Sequence, residues 1–360
     1  MIQDYLSLRR KIKLSPDEYF DFEFEKKDVD FRESFLSEIQ KENYIRLLNP
    51  KKYYILARNK YLTHLYLDTL GIRQTTLYCY YHPECRIQDD TIAFDFDSVV
   101  AVLKFKNIKN CVIKSTESGH GEGVILIDTI IYSEDECMLF QQDGKMIRLK
   151  DLLKYEPLLF EQVIRQTNQF AQFNSTSVNT VRFMTTLHPD GNADIIATWI
   201  RFGRYGSCVD NAGTGRNVSA AVDKKTGRIY NATLFNGWRN TKPVTHHPDS
   251  GVLLEGTVIE DWEKISSDIL RFQQAIPLLK AIAWDIAITD EGPLVVEIND
   301  SWDPTGQFFI LHGWRKEIQK CFLEWKRLVD AGLVSYWSGR GIDQAYLNHT
   351  KAKYNNLFNG

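Results

Sequence analysis

Residues 283–303 read AWDIAITDEGPLVVEINDSWD, two runs of alternating side chains joined at Asp290-Glu291-Gly292. The glycine closes a three-residue loop at the position where a left-handed backbone is wanted. Folding the stretch there sets Asp285 opposite Glu297, Ala283 opposite Asn299 and Ala287 opposite Val295, all on one face of a β-hairpin. The other face carries Trp284, Ile286 and Ile288 against Leu294, Val296 and Ile298, a surface suited to a core. One side therefore anchors the hairpin, while the other gathers two carboxylates and an amide beside small alanines. Hard oxygen donors without His or Cys favour Mg²⁺, with Mn²⁺ as the alternative, over zinc. Mg²⁺ held by few protein ligands completes its shell with phosphate oxygens. Asp285, Glu297 and Asn299 are thus the candidate ligands of a metal-bound nucleotide. The competing reading is an ordinary amphipathic hairpin with a solvated outer face.

A chain of 360 residues can bury a large core and is expected to fold as two or three lobes. Its net charge of -3 and pI near 6.3 give no global electrostatic case for nucleic acid or a membrane as partner. A phosphate ligand must then be met by local lysines and arginines. The first thirty residues are mixed and charged, and no stretch approaches the ~20 apolar residues of a membrane helix, so a cytoplasmic protein without a membrane span is expected. Cys79, Cys85, Cys111, Cys137, Cys208 and Cys321 are scattered, with no CxxC and no His at zinc spacing, and read as reduced structural residues.

Outward from the hairpin, the segment before about residue 50 reads as helical and fastened by aromatic residues. A short strand is expected over 53–57, then a helix over about 59–70 stopped by Gly71. A strand over 111–114 ends at Lys114 and is followed by Ser115-Thr-Glu-Ser-Gly-His-Gly-Glu-Gly123, leading to a second strand over 124–127. Gly119, Gly121 and Gly123 let successive N–H groups turn toward an anion, so this loop can cradle a triphosphate; as a bland alternative it is a hairpin tip. It lacks the spacing of a P-loop and opens no helix. An apolar segment runs over 158–164. Strands over 181–187 and 193–201 pair through the turn 188–192. A packing helix over 310–333 carries Trp314, Ile318, Cys321, Phe322, Trp325 and Val329 on one stripe.

Lys60 at a helix start, Lys114 before a glycine-bearing loop, an apolar segment about fifty residues on, and the late Asp285, Glu297, Asn299 set occur in this order in ATP-grasp enzymes, which the chain resembles over roughly residues 50–310. The resemblance is closer to the sugar-transfer-associated subgroup of surface-polysaccharide loci. It is carried by Asp17-Glu-Tyr-Phe20, Ser177-Val-Asn-Thr-Val-Arg182, Val209-Asp-Asn211 with Gly213 and Gly215, His247-Pro-Asp249 and Trp284-Asp285. It implies an α+β fold of two lobes gripping ATP, with an N-terminal helical, pre-ATP-grasp-like region over 1–100, lobes over 101–157 and 158–310, and a C-terminal helical tail over 311–360.

The resemblance further implies that Lys60 and Lys114 contact ATP phosphates and that Gly119, Gly121 and Gly123 close over them. The Gln162 carbonyl and Ile164 amide would read the adenine, Glu161 sits at an acidic hinge position, and Gln169 is a looser candidate for the ribose. Asp285, Glu297 and Asn299 would hold Mg²⁺. The chain departs from the pattern at His120 and Glu122 inside the loop, and at Ser301, where related ligases carry Arg. Arg182 and Arg201 are candidates for that missing guanidinium, and Asp210 and Asn211 for a loop over the phosphates or the acceptor. His246-His247 invites a metal, but a substrate-contacting loop is the better reading.

The implied activity is ADP-forming ligation of a small-molecule carboxylate to an amine through an acyl phosphate. A uronic acid of a capsule or other surface polysaccharide, or its nucleotide-sugar precursor, is the expected acid. The alternatives are a kinase of a sugar hydroxyl and a nucleotide-binding scaffold without turnover. Oligomeric state is left open.

Overall fold

A computed structural model describes residues 2–87, 89–117, 123–133, 135–153, 156–206, 217–237 and 239–334. The N-terminal segment is helical, with helices at Ile2–Ile12, Pro16–Asp21, Val29–Ser34 and Glu38–Leu48. Ser15 and Glu18 form a reciprocal capping box at the second, and Ser37 caps the fourth, so the orphan N–H groups of these helix starts find side-chain oxygens. Tyr19, Phe24, Phe31 and Phe35 pack into one buried aromatic cluster that closes this segment on itself. Gly313 ties it to the body: its N–H donates to Ser34 Oγ at 3.0 Å.

The strand expected over 53–57 is a 3-10 turn at Lys51–Tyr53 and a helical turn at Ile55–Arg58. The apolar run is too short for its period to decide. The next helix, Lys60–Thr69, settles the local geometry, because Asn59 caps it and Thr63 Oγ1 reaches back to Leu56 O at 2.8 Å. That helix ends at Gly71, in the left-handed region with φ of 63°.

Among the described residues fifteen strands follow in chain order. β1 is Leu77–Tyr81, β2 Ile92–Ala93, β3 Cys111–Ser115, β4 Ile125–Ile127, β5 Thr129–Tyr132, β6 Cys137–Phe140, β7 Met146–Arg148 and β8 Leu158–Glu161. β9 is Thr180–Leu187, β10 Ala193–Phe202, β11 Val218–Val222, β12 Ile229–Leu234, β13 Lys242–Pro243, β14 Ala281–Thr289 and β15 Gly292–Asn299. They form a five-stranded sheet in the order β2-β1-β8-β3-β4, a seven-stranded sheet in the order β13-β12-β11-β10-β9-β14-β15, and a small sheet β5-β6-β7. β8 lies between β1 and β3, antiparallel to both, so the first sheet takes strands from either side of the boundaries expected at 100 and 157.

The seven-stranded sheet buries one face under the helix Trp262–Ala275, through Phe183, Trp284, Ile286 and Val295. Part of its other face packs on the N-terminal helix Glu38–Leu48 and on Arg315–Asp330, with Met184, Trp199, Ala283, Trp314, Ile318 and Cys321 between them. The C-terminal helix therefore begins at Arg315, not near 310. A short helix, Gly306–Ile310, precedes it and is broken at Leu311, which has φ of 57°.

The hairpin β14–β15 pairs Ala283 with Asn299 and Asp285 with Glu297, as the alternation implies. Two details differ. Thr289 pairs with Gly292, so the turn has two residues rather than three, with Gly292 at φ 108°. A bulge at Val296 on β15, opposite the step from Asp285 to Ile286 on β14, restores the register, setting Ile286 opposite Val295 and Ala287 opposite Leu294. In consequence Val295 enters the core and Val296 turns to the face of Glu297.

Candidate functional site

A cavity of about 400 Å³ opens between the five-stranded and seven-stranded sheets. Its charged lining is Lys60, Lys114, Arg165 and Arg201 against Asp285 and Glu297, an excess of cations suited to a polyanion. Its apolar lining includes Val112 and Leu126 from one sheet and Val296 from the other, two walls for a flat apolar group such as a nucleobase. β3 supplies both kinds of side chain by alternation. Cys111 and Ile113 point into the core, while Val112 and Lys114 face the cavity. The bulge in the hairpin is what delivers Val296 beside Glu297.

The two lysines are held by different means. Lys114 Nζ donates to Glu161 Oε2 at 2.8 Å, and Thr75 Oγ1 donates to the same oxygen at 3.0 Å. Lys60 opens its helix, and its backbone N–H donates to Thr116 O at 2.8 Å, fastening that helix to the chain entering the glycine loop. Lys60 Nζ lies 3.9 Å from Glu297 Oε1. Burial, reinforced by the neighbouring Lys114, holds the Lys60 ammonium below its usual range, although Glu297 works the other way. Gln162, Val163 and Ile164 follow β8 into the cavity wall, and the Gln162 N–H is committed to Thr76 O at 2.9 Å.

Asp285 lies 3% exposed beneath the cavity floor. Arg182, its register partner on β9, grips it through Nε and through Nη2 at 2.7 Å, and Arg201 Nη2 from β10 reaches it at 2.9 Å. Arg201 also donates to Thr180 Oγ1 at 2.8 Å. Burial pushes the Asp285 carboxyl up, but the two guanidinia outweigh it and hold the group below the ordinary carboxylate range. Glu297 behaves oppositely: burial, followed by the charge of Asp285, raises it. Asn299, two residues along, places its Nδ2 3.5 Å from Ala283 O and is not among the residues lining the cavity.

Among the described residues no group of three His, Cys, Asp or Glu side chains could hold a metal ion. The donor set present is two facing carboxylates and a nearby amide: Glu297, raised by burial and then by the charge of Asp285, and Asp285, whose two oxygens already accept from guanidinia. Such a set fits a hard divalent cation that shares its shell with phosphate oxygens.

Other candidates are placed elsewhere. Gln169 lines a separate cavity with Thr167 and Lys264; its amide bonds Val258 O at 2.8 Å and Glu260 N at 3.1 Å. His247 is buried, and its Nε2 meets Gly203 O at 3.0 Å, which makes it a support for the chain leaving β10. Asp249 is clamped by Arg204, whose hydrogen bonds bring its carboxyl down to about 2. Ser301 Oγ lies 3.2 Å from Glu42 Oε1. Gly119, His120, Gly121, Glu122, Cys208, Asp210, Asn211, Gly213 and Gly215 lie outside the described residues, and Gly123 is in the left-handed region with φ of 73°. Thr75, Thr180, Arg165, Val112 and Leu126 belong to the site without any local sequence signal. Each is an ordinary strand or loop residue until the two sheets meet.

The sequence model of a family described as sugar-transfer associated ATP-grasp matches residues 39–321. Among curated proteins no sequence matches. Similar solved structures include a biotin carboxylase β-γ-ATP complex from Campylobacter jejuni, 9% identical, covering 80% of this chain and 51% of that one with a TM-score of 0.46. Phosphoribosylamine–glycine ligase from Thermotoga maritima is 13% identical over 79% and 57% of the two chains, with a TM-score of 0.44. D-alanine–D-alanine ligase from Bacillus anthracis is 12% identical over 76% and 68%, with a TM-score of 0.39. The chain spans about half the length of several structures it matches.

Proposed function

Because this chain belongs to the sugar-transfer associated ATP-grasp family, we propose that it is an ADP-forming ligase that joins a carboxylate to an amine through an acyl phosphate. The observation that carries the reading is the convergence of Lys60, Lys114, Gln162, Ile164, Arg201, Asp285 and Glu297 on one cavity between two sheets. On this reading the two sheets are the lobes that grip ATP, the nucleobase lying between Val112, Leu126 and Val296 with the phosphates toward the lysines. Asp285, Glu297 and Asn299 would hold Mg²⁺, which when bound neutralises phosphate charge.

The residues of the chain then have distinct tasks. Lys60 and Lys114 fix the β- and γ-phosphates, and Glu161 and Thr75 aim Lys114. Arg201 stands where negative charge spreads as the substrate carboxylate oxygen attacks the γ-phosphorus and ADP leaves. Amine attack on the acyl carbon next expels phosphate and gives up a proton. No enzyme nucleophile is required, in keeping with a cavity lined by cations and carboxylates. Arg182 positions Asp285 from behind. Asp210 and Asn211, with the glycines of 119–123, are proposed to cover the reacting groups and exclude water.

The family description names an association with sugar transfer, and a uronic acid of a surface polysaccharide or its nucleotide-linked precursor is proposed as the carboxylate, modified by an amine or amino acid in the cytoplasm. The test is ADP release on incubation with Mg²⁺-ATP, hydroxylamine and a panel of free and nucleotide-linked uronic acids. Acid-dependent ADP release with matching hydroxamate is expected. ADP release with a phosphorylated sugar and no hydroxamate would establish a kinase instead, and ATP binding without ADP release across the panel would establish a scaffold.

A further inference from the structure

The helix Ile2–Ile12 has two unlike faces. Leu8 and Ile12 are buried in the aromatic cluster of the N-terminal segment. The outward arc collects Ile2, Leu6, Arg9 and Arg10, with Lys13 just beyond the helix end. Ile2 is 75% exposed and Leu6 43%, and Ile39, from the start of the helix Glu38–Leu48, is 50% exposed. Leu6, Leu14, Pro16 and Ile39 line a trough of about 520 Å³ whose other lining includes Arg9, Arg10 and Lys13 and no carboxylate.

Three of the acids near it are engaged, while Asp17, after Pro16, is exposed. Asp4 pairs with Arg32, Glu33 with Lys11, and Glu38 with Lys41. Among the described residues no ion pair engages Arg9, Arg10 or Lys13. Lys13 adopts φ of 59°, a left-handed turn that closes the helix with its N–H on Arg9 O. The result is a row of exposed apolar side chains beside three cations, next to an open trough. Apolar side chains that project outward from a basic helix match the boundary between lipid headgroups and acyl chains. An acidic peptide would be met by cations without such a row.

We propose that this face seats the protein on an anionic lipid surface, with Ile2, Leu6 and Ile39 entering the headgroup boundary and Arg9, Arg10 and Lys13 meeting lipid phosphates. The inference is independent of the ligase reading, since it concerns a surface distinct from the cavity between the sheets.

The test is co-sedimentation of the full chain with phosphatidylcholine vesicles with and without phosphatidylglycerol, at low and high salt. Binding to the anionic vesicles alone, weakened by salt, is expected. A lysine or arginine near an anionic surface strengthens binding about fivefold, so the double variant Arg10→Glu with Lys13→Glu should bind at least about 25-fold more weakly. Leu6→Asp should also lose binding, while Lys326→Glu, on the helix Arg315–Asp330 and outside the trough, should bind as the parent does. Leu6, Arg10 and Lys13 are exposed and Lys326 is half-buried, and unchanged melting curves would show that the variants fold. Equal binding to both vesicle types, no binding to either, or parent-like binding by the double variant would overturn the proposal. So would capture of a soluble poly-glutamate peptide with no retention on vesicles.

Discussion

Asp285 and Glu297 face each other across one strand pair, yet replacing them should have opposite effects on stability. Asp285 accepts from two nearly buried guanidinia, with Arg182 Nη2 at 2.7 Å and Arg201 Nη2 at 2.9 Å. Asp285→Asn keeps the shape and removes the negative charge that both guanidinia meet. Breaking a buried ion pair by removing one partner costs about 3–5 kcal/mol. At roughly 2 °C per kcal/mol for a chain of this size, the melting temperature should fall by about 6–10 °C.

Glu297 reverses the sign. Burial and the neighbouring charge raise its folded-state pKa, so the folded protein holds that proton more tightly than the unfolded chain does. The corresponding stability is full below the unfolded pKa and is lost as pH climbs through the folded one, leaving the ionised group a net cost at neutral pH and above. Glu297→Gln removes that cost, and its melting temperature at about pH 8 should match or exceed the parent's. Both variants should lose ADP formation. The assays are thermal melting without nucleotide and coupled ADP release. Parent-like melting of Asp285→Asn would refute the buried-clamp argument, and ADP formation by Glu297→Gln would remove the proposed metal site.

Lys60, held below its usual range by burial and Lys114, should lose its charge as pH rises and with it part of the affinity for ATP. In Lys60→Arg, whose guanidinium stays charged, KM for ATP should remain flat over that alkaline range; an unchanged alkaline limb would assign the titration to another group. Asn49 ties the N-terminal helix Glu38–Leu48 to the hairpin, donating to Ala281 O at 2.6 Å and Asp300 O at 2.7 Å and accepting from Lys280 N at 2.8 Å and Ala281 N at 3.0 Å. Asn49→Ala leaves these backbone groups short of partners and should cost about 3 kcal/mol in urea denaturation, and a loss below about 1 kcal/mol would show that water replaces the amide.

What could be read in the chain was what depends on neighbours within a few residues. The hairpin is legible because Gly292 marks its turn and the alternation of Asp285, Ile286 and Ala287 assigns faces. The helix after Asn59 is legible because its cap and its terminal glycine are local signals. The faces of Val295 and Val296 were not, since two adjacent valines satisfy either register. Only the two-residue turn together with the fixed pairing of Asp285 and Glu297 forces the bulge between them. The same limit applies at larger scale to the arginine clamp. Arg182 and Asp285 pair because β14 adds to the edge of β9 rather than following the chain order, and no local pattern states which strands are neighbours. Arg201 then joins them because β10 is already on the far side of β9. Sheet order thus converts three residues spread over a hundred positions into one buried charge cluster. The partly buried Glu297 is left as the carboxylate whose charge this protein does not fully offset from its own side chains.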